Sequence, residues 1–209
     1  MALTLDEIKK SVKKNPKDAA SRKEMGNYYL NLKNYKEAVS EYKIAADFSP
    51  RMVQEIVIDF EHFLQVNLEN VEVRLALVDF YLHLGDIDRA VIELEELVEI
   101  APETAYVYNL LGRIYLKLGR LEGAISLLEK ALKAGNGDIA LLEALAGAYL
   151  EKERYADAIS IYEKLHQDDP NNKRTLRTLR ELYMRIKDFD GAARVTSLML
   201  INYAEILPE

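Results

Sequence analysis

Apolar and small residues recur along the chain with a spacing that predicts pairs of amphipathic helices. The segment 105–136 shows this pattern most clearly, because its apolar positions follow helical spacing on both sides of a turn at 118–120. Three columns of this segment return elsewhere in steps of 52, 34, 34 and 34 residues. A nearly constant period of this size indicates an array of helical repeats. The columns are Tyr29, Tyr81, Tyr115, Tyr149 and Tyr183; Ala38, Ala90, Ala124, Ala158 and Ala192; and Met25, Leu77, Leu111, Leu145 and Leu179.

The columns predict where each helix pair begins and ends. A short helix at 4–14 comes first, because Thr4 and Glu7 have capping-box spacing and Asn15-Pro16 ends it. The first step exceeds the others by 18 residues, which is enough for one helix and a loop. We therefore predict an extra, unpaired helix near 52–66, with possible sub-blocks at 1–50, 51–70 and 71–209. The five pairs are predicted at 19–50, 71–102, 105–136, 139–170 and 173–204.

These residues resemble the tetratricopeptide repeat (TPR) family over nearly the whole chain. The pair at 19–50 carries the family's order of small, aromatic and Ala residues through Gly26, Tyr29, Ala38, Tyr42 and Ala45. Small residues let two helices approach closely, and a Tyr or Leu fills the remaining space. The resemblance implies an all-α, right-handed α-solenoid of about five helix pairs, with the N-terminal helix and the extra helix added.

Composition narrows the classes of function. The chain has no Cys, so disulfides, thiolate metal sites and thiol nucleophiles are excluded. Its formal net charge of −7 argues against a nucleic-acid partner. The N-terminal sequence lacks the apolar core of a signal peptide, and no apolar run approaches the roughly 18 residues of a membrane span. We expect a cytoplasmic protein without direct membrane insertion.

Charge is unevenly distributed along the sequence. Residues 1–52 hold 11 basic and 7 acidic residues, whereas residues 53–104 hold 2 basic and 13 acidic residues. In one interpretation this asymmetry has a function: it steers a partner or orders copies head to tail. In the other it is only a solvated acidic outer face. The sequence leaves both interpretations open.

The sequence gives no arrangement that predicts catalysis. His62, His83 and His166 lie on three different predicted helices and lack the spacing of metal ligands. The glycines form no phosphate-binding loop, and no nucleophile is placed beside a base. We therefore expect no catalytic residue, metal site or cofactor, and no enzyme activity.

The TPR resemblance implies a concave groove in which the first helix of each pair contacts a segment of a partner protein. Gly147 draws attention to the fourth pair, because a Gly inside a helix costs about 1 kcal/mol relative to Ala. With the nearby Ala140 and Ala144 it leaves a shallow pocket, and amide and guanidinium donors around that pocket suit an acidic or C-terminal carboxylate segment. The candidate partner-binding residues are Tyr106, Asn109, Arg113, Lys117, Gly147, Arg174 and Arg177.

Two other interpretations of this groove stand beside the first. The charged columns could neutralise each other, as in the series Lys117, Glu151 and Arg185, and exposed pairs of this kind contribute only about 0–1 kcal/mol. Gly147 could instead be the close-packing glycine of the family, displaced by one residue. A chaperone-tail clamp is not supported, because Lys23 and Asn27 match its first positions but Ala76, Tyr106 and Leu110 occupy the others.

The last predicted helix is unusually apolar for the end of an array. Its apolar side chains are Leu198, Met199, Leu200, Ile201, Tyr203, Ile206 and Leu207. This helix therefore suggests a homo-oligomer, or a chain that continues further. The favoured function is a non-catalytic protein–protein interaction scaffold; the alternatives are a self-assembling scaffold and a regulatory or targeting TPR module cut from a larger enzyme.

Overall fold

The computed structural model describes residues 4–66, 69–135 and 137–204, and these residues form helices and turns only. The single helices in this part of the chain are α1 (Leu5–Lys14) and α4 (Met52–Val66). The five predicted pairs are confirmed. They are α2 (Ala19–Asn31) with α3 (Tyr35–Phe48), α5 (Val71–Leu84) with α6 (Ile87–Ile100), α7 (Ala105–Lys117) with α8 (Leu121–Lys133), α9 (Ile139–Glu151) with α10 (Tyr155–Asp168), and α11 (Lys173–Arg185) with α12 (Phe189–Ala204).

Small residues bring the two helices of a pair close together, as the sequence predicts. A Cβ added at Gly26 would lie 2.4 Å from the ring of Tyr42, and one added at Gly112 would lie 2.8 Å from Cγ of Leu128. Both large side chains are fully buried. The column pattern therefore records direct packing between the first and second helix of a pair.

The turn inside each pair has one residue in the left-handed conformation. Gly85 and Gly119 occupy this position with φ of +73° and +71°, where a residue without a Cβ is unstrained. Lys33, Glu153 and Lys187 adopt the same conformation with φ of 58°, 56° and 63°. The turn geometry is thus kept even where the sequence does not provide glycine.

Polar side chains cap the N-termini of many of the helices by accepting hydrogen bonds from backbone N–H groups. Thr4 and Glu7 form the predicted capping box at α1, and the bond from Thr4 lowers the pKa of the Glu7 carboxyl. Asp86 accepts from the Arg89 backbone N–H at 3.1 Å and begins α6. These caps fix the points at which the chain turns between helices.

The chain divides into two compact units, Met1–Pro102 and Glu103–Glu209. In the first unit, the extra helix α4 lies at its predicted position and packs against α2, α3 and α5. Its Phe60 contacts the rings of Tyr42 and Phe80, with centroids 5.2 and 6.2 Å away. All three rings are buried, so α4 is part of the core of the first unit.

An ion-pair cluster also fixes α4 on α2. Lys23 Nζ lies 3.2 Å from a carboxylate oxygen of Glu55 and 3.1 Å from one of Asp59. Burial alone would lower the pKa of Lys23, but its bonds with Asp59 and Glu55 raise it. Lys23 therefore pairs with two carboxylates of α4.

The division into sub-blocks 1–50, 51–70 and 71–209 stays a prediction.

The second unit contains three regular pairs joined by a repeated contact. The hydroxyl of Tyr149 on α9 donates to Glu129 of α8 at 2.7 Å, and Tyr183 on α11 donates to Glu163 of α10. Burial and then the bonded carboxylate raise the pKa of each hydroxyl.

None of the described helices is long and apolar enough to cross a membrane.

Candidate partner-binding face

The first helices of the second unit, α7, α9 and α11, carry all the candidate partner-binding residues. We call their exposed side chains the first-helix face. On α7, the side chains of Tyr106, Arg113 and Lys117 are exposed, with Tyr106 at 58%. Arg113 and Lys117 are four residues apart and therefore lie on one side of the helix.

Asn109 is also on α7, but it is only 7% exposed. Its side-chain amide donates to Oδ2 of Asp138 at 3.4 Å, while Oδ1 of the same Asp138 accepts from the backbone N–H of Leu141 at 2.7 Å. Asn109 therefore binds the cap at the start of α9. Its amide joins two helices and does not point freely outward.

Gly147 on α9 is not a close-packing glycine. A Cβ added there would meet no atom within 4 Å, in contrast to Gly112 on α7. The hypothesis that Gly147 is a displaced packing residue is therefore wrong. Its missing side chain leaves open space at the surface.

That open space is part of a cavity of about 370 Å³ between α9, α10 and α11. Gly147 and Arg174 are the two candidate residues that line it. Periodicity alone does not predict the other lining residues, because they lie on different helices and their proximity depends on how α10 packs. The remaining lining residues are Ile139, Glu143, Leu150, Tyr162, Leu165, Asp168, Asp169, Asn172 and Thr175.

The cavity contains acidic as well as basic groups. Glu143, Asp168 and Asp169 face the same space as Arg174. Burial raises the pKa of the Tyr162 hydroxyl, and the positive charge of Arg174 opposes that rise. A ligand carboxylate would therefore be favoured at the Arg174 side of the cavity and repelled at the other.

Helix α11 supplies most of the positive charge of the first-helix face. It holds five basic residues and one acidic residue, and the side chains of Arg174 and Arg177 are exposed. Asn172 caps the helix by accepting from the backbone N–H groups of Arg174 and Thr175 at 3.1 and 3.2 Å. This cap fixes where the first arginine of α11 lies.

One member of the charged series Lys117, Glu151 and Arg185 has another contact. Arg185 donates to the hydroxyl of Tyr155 at 3.0 Å and lies 5.2 Å from the centre of its ring. This contact differs from the pairing with Glu151 that mutual neutralisation of the series requires.

The histidines are placed separately. His83 lies 2.8 Å from a carboxylate oxygen of Asp47, whereas His62 is exposed on α4. Within the described ranges, no group of three or more His, Asp or Glu side chains is arranged to hold a metal ion.

Comparison with known families supports the repeat assignment. The family model described as "Psidin, N-terminal TPR repeats region" matches residues 74–202, which is more than half of the chain. The chain belongs to the tetratricopeptide repeat family. The matched range extends from α5 to α12.

Solved structures with the same TPR fold are distant in sequence. One crystal structure of MamA is 19% identical, covers 87% of this chain and 95% of its own, and has a TM-score of 0.57. The structure of YrrB, described as "a TPR protein with an unusual peptide-binding site", is 13% identical, covers 95% and 93%, and has a TM-score of 0.54. No curated protein sequence matches the chain. These likenesses establish the fold.

Proposed function

We propose that this TPR protein is a non-catalytic interaction scaffold and that its first-helix face binds a segment of a partner protein. TPR folds are in general interaction modules, and one protein of this fold, YrrB, is described as having a peptide-binding site. The absence of a predicted nucleophile–base arrangement agrees with a role without catalysis.

The charge pattern around Gly147 is the main observation that supports partner binding at the first-helix face. The exposed cations Arg113 and Lys117 lie on α7, and Arg174 and Arg177 lie on α11. Between them α9 has an open surface at Gly147. Guanidinium groups bind carboxylates through two parallel hydrogen bonds, so a segment with acidic side chains or a C-terminal carboxylate fits this surface best.

The acidic residues of the cavity restrict how such a segment can lie. Its carboxylates would be close to α7 or α11, because Glu143 and Asp168 would repel them nearer the centre. Uncharged or basic side chains of the partner would face these two residues.

Affinity capture tests this proposal. The full chain and an Arg113→Ala/Arg177→Ala variant are immobilised side by side, and captured proteins are compared by mass spectrometry. A Lys133→Ala/Lys164→Ala variant removes two exposed cations from the second helices and serves as the matched control. We expect one partner to be lost with the arginine variant and retained with the control. Equal recovery on all three proteins would contradict the proposal.

Self-assembly is a second candidate, favoured by the last helix. Leu198, Leu200 and Ile201 on α12 are exposed, with Leu200 at 65%. Tyr203, Ile206 and Leu207 fall outside the part of the chain whose side chains the structure describes. Light scattering of the purified chain checks this candidate: a defined oligomer that a Leu200→Glu variant dissociates supports it, and a monomer at high concentration excludes it.

A further inference from the structure

The surface between α11 and α12 forms an open groove, which we call the terminal groove. It encloses about 810 Å³, and Met184 and Phe189 at its edge are 51% and 64% exposed. In the described part of the chain no helix follows α12. The groove is lined by Arg180, Glu181, Met184, Arg185, Phe189, Ala192, Ala193 and Thr196.

The same repeat positions in the first pair are covered by α4. The residues corresponding to Phe189 and Thr196 are Tyr35 and Tyr42. The ring of Tyr35 lies 6.2 Å from that of Phe63, and the ring of Tyr42 lies 5.2 Å from that of Phe60. The first groove is thus filled by an amphipathic helix with aromatic side chains three residues apart.

Corresponding grooves in the second unit are also covered by a helix. Helix α9 covers the α7–α8 pair, with the Tyr149 hydroxyl bonded to Glu129 at 2.7 Å. Helix α11 covers the α9–α10 pair, with Arg185 bonded to Tyr155 at 3.0 Å. Within this chain, the grooves equivalent to the terminal groove are therefore each covered by a helix.

The terminal groove differs from the first groove in ways that select its occupant. Thr196 stands where Tyr42 stands in the first pair, so an aromatic ring is missing from the groove wall. Arg180 replaces Gly26 and adds a cation, on which an aromatic ring can stack. Glu181 replaces Asn27, the residue beside Asp59 of α4.

We propose that the terminal groove binds an amphipathic helix of a partner protein. That helix carries two aromatic side chains three residues apart, as Phe60 and Phe63 are on α4. Its net charge is negative, to match Arg180 and Arg185, the two basic residues that line the groove. It has no carboxylate opposite Glu181, because two unpaired acids would repel each other there.

A peptide with the sequence of α4 tests this proposal directly. The probe is a fluorescein-labelled peptide of residues 52–66 with Asp59→Lys, which removes the acid that would face Glu181. Its binding to the full chain is measured by fluorescence anisotropy. We expect saturable binding, and weaker binding of the same peptide without the Asp59→Lys change.

Variants of the groove locate the binding site. Phe189→Glu and Met184→Glu should each weaken binding at least about tenfold, because they place a charge in the apolar contact. Ile92→Glu, which changes an equally exposed apolar residue on α6, is the matched control and should leave the affinity unchanged. All three sites are more than half exposed, so thermal unfolding should confirm that the variants fold.

Three outcomes would overturn the proposal. The first is the absence of saturable binding to the unmodified chain. The second is an unchanged affinity in both Phe189→Glu and Met184→Glu. The third is a dimer of the chain alone that Phe189→Glu dissociates, which would assign the groove to a second copy.

Discussion

Gly112 and Gly147 lie on the first helices of neighbouring pairs but have opposite surroundings. Gly112 faces Leu128 across a closely packed pair, whereas Gly147 faces open space. The two glycines cannot be distinguished from the sequence pattern, since both interrupt an amphipathic helix. Their different environments make them a matched pair for separating packing from recognition.

Replacing each glycine by alanine should change stability in opposite directions. Gly147→Ala should raise the free energy of unfolding by about 0.5–1 kcal/mol, because Ala favours the helix and the added methyl meets no neighbour. Gly112→Ala should lower it by about 1–3 kcal/mol, because the methyl is forced against Leu128. Urea unfolding of both variants checks this. A loss in Gly147→Ala as large as that in Gly112→Ala would refute the open-space assignment.

Asp86, the N-cap residue of α6, shows how a charged side chain stabilises the start of a helix. Its carboxylate accepts from the Arg89 backbone N–H and from the Arg89 side chain at 2.6 Å. Burial would raise the pKa of Asp86, but these bonds with Arg89 outweigh it and lower the pKa. The charged form of Asp86 is therefore the one that stabilises the start of α6.

Asp86→Ala should lower the free energy of unfolding by about 1 kcal/mol at pH 7. Because the folded-state pKa is lowered, the charge-dependent stabilisation is present above the unfolded pKa and is lost as pH falls through the folded pKa. The difference from wild type should therefore shrink between about pH 5 and pH 3. Denaturant unfolding across this pH range measures it. Asp86→Asn keeps the cap and should lose less; a difference that grows toward low pH would contradict the sign.

Helix α4 should be essential to the core of the first unit. Phe60→Ala removes a fully buried ring from the cluster with Tyr42 and Phe80 and should lower stability by about 3–5 kcal/mol. Ile58→Ala on the exposed side of the same helix should change it by less than about 0.5 kcal/mol. Hydrogen exchange should show the loss of protection in Met1–Pro102. Equal effects of the two substitutions would mean that α4 is not packed as described.

The sequence predicts α4 well because its position follows from spacing alone. The step of 52 residues leaves room for one helix, and Met52–Val66 fills it. Its contacts could not be predicted in the same way. That Lys23 is paired with Glu55 and Asp59 depends on how α4 lies across α2, which no periodicity records.

The sequence predicted the exposure of two candidate arginines but not the contacts between helices around them. Periodicity gave the exposed positions of Arg113 and Arg177 on their helices. It could not show that Asn109 bonds to Asp138, since that contact joins two helices through a cap. Nor could it bring Tyr162 and Asp168 beside Gly147, because their proximity depends on the packing of α10.

In the molecule as a whole, both of the docking surfaces that we propose lie in the second unit. The first-helix face is basic at α7 and α11, and the terminal groove offers apolar and cationic side chains. Of the 13 acidic residues in 53–104, all but Glu103 lie in the first unit. A long-range attraction of basic or acidic partners to different parts of the chain would follow, and it would weaken with salt.

Isothermal titration calorimetry with the captured partner measures whether the first-helix face binds it. Wild type and the Lys133→Ala/Lys164→Ala control should bind with the same Kd. Arg113→Ala/Arg177→Ala should bind at least about tenfold more weakly, a loss of about 1.4 kcal/mol, while thermal unfolding shows it still folded. An unchanged Kd in the arginine variant would contradict the proposal that the first-helix face binds the partner.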